Sequence, residues 1–248
     1  MSQIRIQTFF GDIIDLMRTR VNIISITNTP STDEFVVVVS SLGSLIVENF
    51  VWIGSTLYQI RSIDTGTSSF TVKSGSLPVG TFYKTGAPYY LHGRFIAIDS
   101  ELNQIQNGFA KYPLIYLAEN FTSTKDLNPV NQVGETAQCS FFFMNSANYE
   151  DFLTVDHYDQ VIDDMDLLAN DFISLLKSNP FVQYAAMSIE DRIRHPKWGL
   201  IVESKGSSRN LFSDNLSGVE VRINVPIRKM INDCNKYEDW KTKVGLNA

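Results

Sequence analysis

The densest group of chemistry-capable side chains lies between positions 156 and 166: Asp156, His157, Asp159, Asp163, Asp164 and Asp166. On a helix, positions 156, 159 and 163 share a face, and a hard divalent cation asks for several such carboxylate oxygens. A metal-dependent hydrolase would use this arrangement. The plainer reading is a solvated helix start, where acidic side chains complement the positive end of the helix dipole. No second acidic cluster supplies the remaining ligands, so the plainer reading is preferred. No metal ligand, cofactor or catalytic residue is assigned, and the chain is expected not to be an enzyme.

The other reactive residue types do not cluster. His92, His157 and His195 lack the His-x-x-x-His spacing that turns two rings onto one metal. Cys139 and Cys234 are too few for a disulfide framework or a four-thiolate zinc site. There is no phosphate-loop glycine pattern and no Gly-x-Ser-x-Gly elbow. Basic residues are scattered apart from Arg192-Ile193-Arg194 and Arg228-Lys229, and the net charge of -6 argues against a grip on nucleic acid.

Positioning whatever chemistry exists are 248 residues, 44% hydrophobic and 19% charged, enough apolar mass for a real core. The longest apolar runs, 35–39 and 141–144, are too short to span a bilayer. The N-terminal stretch lacks the apolar core of a secretory signal. Residues 2–20 read as a helix with Phe9, Ile13, Leu16 and Met17 on one face. From 22 to 90 short β-rich runs (23–27, 35–40, 51–53, 56–63, 70–73) alternate with turn clusters, which suggests a small antiparallel barrel or sandwich.

From 91 the texture changes. Phe95, Ile98, Leu102 and Ile105 form a helical stripe stopped by Gly108. A strand is expected at 112–118, then a polar stretch at 119–135 that is functional or disordered. A strand at 136–144 places Ala137, Cys139, Phe141 and Phe143 on one side. A helix at 158–177 shows a stripe of Val161, Met165, Leu168, Phe172 and Leu175/Leu176, with Asp163, Asp166, Asn170 and Ser174 opposite. Strands at 181–189 and 218–227 follow, the last alternating Val219, Val221, Ile223, Val225 and Ile227 with polar residues.

The expected fold is therefore α+β. It comprises a four-stranded antiparallel sheet with two helices on a single face, in the order α-β-β-α-β-β, preceded by a small all-β domain. The expected divisions are an N-terminal helix (1–21), the β domain (22–90), the α+β domain (91–227) and a C-terminal interaction tail (228–248). In the tail Ile227, Met230/Ile231, Cys234, Tyr237, Trp240 and Val244 recur every three or four residues. Such a segment folds back on its own domain or docks on a neighbour, and both remain open. On the docking reading, Tyr237 and Trp240 join Phe121 and Lys125 of the polar stretch as expected subunit-interface residues.

The helix 95–105, the strand 112–117, the run Cys139-Ser140-Phe141-Phe142-Phe143, the acidic-faced helix and the closing run Leu216-Ser217-Gly218-Val219-Glu220-Val221-Arg222-Ile223 together resemble the tail-terminator and neck proteins of tailed bacteriophages. The β domain is an addition to that family's minimal pattern. The whole looks most similar to neck ring proteins of phages infecting Bacteroidetes, including the crAss-like group. The resemblance implies a virion protein, made in the host cytoplasm, whose copies close into a ring that joins head to tail. Its implied partners are further copies of itself and adjacent portal, neck or tail ring proteins, with viral DNA passing through unbound and no membrane involved. Two other readings compete: a small-molecule or carbohydrate-binding module using Tyr83, Tyr89 and Tyr90 as a stacking platform, and the metal-dependent hydrolase above.

Overall fold

A computed structural model divides the chain into two units, residues 17–87 and residues 1–16 with 88–248. The structure describes residues 5–17, 20–29, 33–40, 42, 45, 47, 50–54, 56–85, 87–105, 111–119, 122–125, 133–147, 157–202, 208–210, 212–228, 231 and 234–246.

The smaller unit is a closed six-stranded antiparallel barrel. Its strands are β1 (Arg20–Asn28), β2 (Glu34–Val39), β3 (Phe50–Ile53), β4 (Thr56–Asp64), β5 (Ser69–Lys73) and β6 (Phe82–Thr85), in the order β1-β2-β5-β4-β3-β6, with β6 pairing back to β1. Closure removes the free edges that a six-stranded sheet would expose. Along β2 every second residue (Phe35, Val37, Val39) is buried, as a strand with one core face requires. Tyr83 fills the interior: its ring meets Phe70 edge-on at 5.2 Å, and its hydroxyl donates to the Leu42 carbonyl at 2.8 Å. That bond satisfies a phenol with no access to water. Between β3 and β4 the chain needs Gly54, at φ +60°, because a Cβ there would stand 2.5 Å from the Val79 carbonyl oxygen.

The larger unit is built on a six-stranded mixed sheet. After helix α1 (Ile6–Asp15) come β7 (Tyr89–Gly93), helix α2 (Phe95–Gln104), β8 (Leu114–Ala118), β9 (Thr122–Lys125) and β10 (Val133–Ser146). A π-turn (Tyr158–Ile162) leads into helix α3 (Asp163–Ser178), followed by β11 (Ser188–Trp198), the small hairpin β12 (Leu200–Val202) and β13 (Ser208–Asn210), β14 (Leu216–Arg228) and helix α4 (Cys234–Lys243). The strand order is β11-β14-β10-β8-β7, with β9 also paired to β10. β7 and β8 run parallel, with α2 as the crossover between them, and the other pairs are antiparallel.

The spine is β10 against β14, paired from Val133↔Arg228 to Ser146↔Leu216. Phe141, Phe142, Phe143 and Met144 are all buried, so both faces of β10 must be covered. On one face Phe141 and Phe143 align with Val221 and Val219. There Phe10 of α1 meets Phe141 at 5.0 Å, and Phe172 of α3 meets Phe141 at 4.8 Å and Phe143 at 5.7 Å. On the other face Phe142 and Met144 pack with Tyr116, Leu114, Leu91, Leu102 of α2 and Trp198.

The expected fold class is overturned. The protein is mostly β: one unit is a closed barrel, the other is built on a mixed sheet, and the described residues hold four α-helices, rather than a four-stranded antiparallel sheet with two helices. Two strands of the mixed sheet were not foreseen, β7 and β9, nor were β6 of the barrel and the β12–β13 hairpin, and α2 lies on the sheet face opposite α1 and α3. The cause is the contiguous apolar run 141–144, which serves both faces where strict alternation would serve one. The strand expected at 181–189 also fails. Asn179 ends α3 and its side chain accepts the Phe181 amide at 2.9 Å, a short 3-10 turn (Tyr184–Ala186) follows, and β11 begins only at Ser188.

Candidate functional site

The acidic segment does not converge. Asp156 lies outside the described residues, while Asp159 and Asp163 are exposed. Asp166, expected on the solvated face, is instead paired: Arg192 Nη1 donates to it at 2.9 Å and Arg194 lies 3.6 Å away. Asp164 is half-buried in the first turn of α3. Burial, and secondly the neighbouring Asp163 charge, push its carboxyl up to about 6. Among the described residues no three His, Cys, Asp or Glu side chains are placed to hold a metal ion.

His157 turns into the fold. It is fully buried, and its Nδ1 lies 2.9 Å from the equally buried Ser217 Oγ. This is the nearest approach in the described structure to a nucleophile beside a base, and its polarity is wrong for catalysis. Ser217 donates its one hydroxyl proton to the Pro196 carbonyl, so the imidazole N–H must donate to the serine oxygen. The trio stitches the start of the π-turn to β14 and β11. Sixty residues separate the two partners, and no local pattern signals the pair.

A second polar constellation lies on the sheet face that carries Phe142. Glu220 is buried, and both carboxylate oxygens are engaged, by Arg222 Nε at 2.7 Å and His195 Nε2 at 3.2 Å. Asp191 lies 3.9 Å from Arg222, and Asn224 donates to Glu190 at 2.6 Å. The alternation of donor and acceptor along β14 and β11 neutralises the row within itself. Cys139 is buried and free, and burial pushes its thiol up to about 12, far from a reactive thiolate.

The expected interface residues separate. Phe121 lies outside the described residues. Lys125 is exposed at the end of β9. Tyr237 and Trp240 are buried in their own unit, a correction to the reading that they anchor a neighbouring copy. Their rings lie 5.4 and 5.7 Å from that of Phe181, and the Tyr237 hydroxyl donates to Asp12 at 2.6 Å. The amphipathic tail folds back because its stripe finds apolar partners in α1 and the turn after α3.

The aromatic platform also dissolves. Tyr83 is barrel core, Tyr89 packs beside Leu91 and Leu114, and the Tyr90 hydroxyl donates to the Gln7 carbonyl at 3.2 Å. What the expectations missed is β9, four exposed residues within the stretch read as a loop. Its registers, Thr122↔Gln138 to Lys125↔Glu135, extend the sheet along β10 beyond β8. Set against known proteins, the chain matches no family model, no curated protein and no solved structure.

Proposed function

We propose that the chain is a structural subunit of a tailed-phage virion, assembling as a closed ring in the neck or tail. The observation that carries this reading is the outer edge of β9. The strand is hydrogen-bonded to β10 on one side, and among the described residues no strand pairs with its other side. β7, which covers the corresponding side of β8, ends at Gly93 as the chain leaves for α2. An exposed edge offers backbone donors and acceptors to another chain, which is how strand addition joins subunits.

The resemblance to neck and tail-terminator proteins supplies the partners: further copies and the adjacent portal, neck or tail rings. A ring needs complementary patches rather than one particular sheet, so the corrected fold is compatible with it. The net charge of -6 suits a lumen through which DNA passes without adhering. Weighing the purified chain by mass photometry, alone and with its neighbouring ring proteins, tests the reading. Closed oligomers visible as rings in electron micrographs are expected. A chain that stays monomeric or dimeric in every mixture overturns it.

A further inference from the structure

We propose that successive copies join by seating the β12–β13 hairpin of one copy on the outer edge of β9 of the next. This rests on the ring reading and names the strand that the β9 edge receives. β8 and β9 follow one another along the same side of β10, β8 against residues 141–144 and β9 against residues 135–138. β7 covers β8 as far as the pair Gly93↔Ala118. The edge beyond it is the four residues of β9, Thr122–Lys125, and such a slot suits a short strand.

The hairpin supplies one. β12 and β13 have three residues each, and among the described residues they pair only with one another. A lone two-stranded hairpin is marginal in water and gains from a further strand. Its place in the fold keeps it from its own β9. The β11·β14 ladder ends at Trp198↔Leu216, Gly199 follows at φ +80°, and the hairpin stands beyond. β9 sits at the other end of the spine, where residues 135–138 meet residues 224–227 of β14. From Asn224 to Leu216 is eight residues, roughly 27 Å at the rise of a strand. A hairpin of residues 200–210 reaches at most about 19 Å, half its length at the same rise. The two can therefore meet only between copies. The contact is heterologous, with the hairpin at one end of each copy and β9 at the other, as a closing ring requires. Pairing β9 with β9 would instead be two-fold and stop at a dimer.

The test mixes two variants of the full chain. In one, residues 200–210 are replaced by Gly-Ser-Gly. The chain after the hairpin is anchored without it, since Phe212 stacks on Trp198 at 4.6 Å and the Ser213 amide donates to Asp99 at 2.8 Å. The other is Ser123→Pro/Thr124→Pro. Adjacent residues of a strand aim their N–H groups to opposite sides, so one of the two prolines removes an outward donor. Both variants should melt like the parent chain, and each alone should lose assembly. A 1:1 mixture should form a dimer and nothing larger, because one intact hairpin still meets one intact β9. Three results overturn the docking while the ring reading stands: a hairpin-less chain that no longer folds, either variant assembling as the parent does, or a mixture without dimer. If the parent chain never forms closed oligomers with its neighbours present, both fall together.

Discussion

The Tyr237 hydroxyl donates to Asp12 Oδ2 across 2.6 Å, and this one bond ties the last helix to the first. Around it Phe9, Phe181 and Trp240 complete a ring cluster, and Lys241 lies 3.6 Å from the same carboxylate. The tail is thereby part of the fold. Truncation after Arg228 should yield a chain without a cooperative thermal transition. Trp240→Ala in the full chain should cost about 3 kcal/mol in denaturant unfolding. A truncated chain that melts normally would show that the cluster adds little.

Helix α3 offers an internal comparison. Phe172 touches Phe141 and Phe143 in the core, so Phe172→Ala should cost roughly 3–5 kcal/mol. Asp166→Ala leaves Arg192 without its carboxylate in a mostly buried pair and should cost about 1–2 kcal/mol. Leu167→Ala, on the exposed face, should stay within about 0.5 kcal/mol. Urea melts of the three variants should reproduce that order.

Ser217→Ala strips the Pro196 carbonyl of its hydroxyl donor and His157 Nδ1–H of its acceptor, both in the interior. The expected loss is about 2–4 kcal/mol, since each buried polar group left unsatisfied carries its own desolvation penalty. Ser217→Cys, which keeps a weak donor and acceptor, should lose less. Equal losses would show that volume rather than hydrogen bonding governs the site.

Asp164 sets a pH dependence of definite sign. Its carboxyl is raised to about 6 in the folded chain, against an ordinary value near 3.9 when unfolded. Between these values the folded state holds more protons than the unfolded one, so stability falls as pH climbs from about 4 to about 6. Asp164→Asn should therefore raise the melting temperature at pH 7 and leave it nearly unchanged at pH 4. An equal effect at both pH values would contradict the burial argument.

Amphipathic periodicity settles the elements whose two faces differ in chemistry. Met165, Leu168, Phe172 and Leu176 fall on the buried side of α3, and Val219, Val221, Ile223, Val225 and Ile227 are buried along β14, as their spacing requires. The phase of such elements is decided locally, because only one face of each carries an unbroken apolar row that must meet the core; that β14 also covers Leu216, Gly218 and Glu220 on its other face was decided by the sheet. The tail stripe of Tyr237 and Trp240 was equally visible, but a stripe states only that something must cover it, and α1 and Phe181, distant in sequence, turned out to be the cover. The same holds for Ser217 beside His157, for Arg192 on Asp166, and for β9, whose polar Thr-Ser-Thr-Lys run becomes a strand through hydrogen bonds to β10. Backbone pairing is indifferent to side chains, and buried polar groups take whichever partner the fold brings within 3 Å. Those relationships come into being only when the sheet assembles, because their energy belongs to pairs of residues that no local pattern joins.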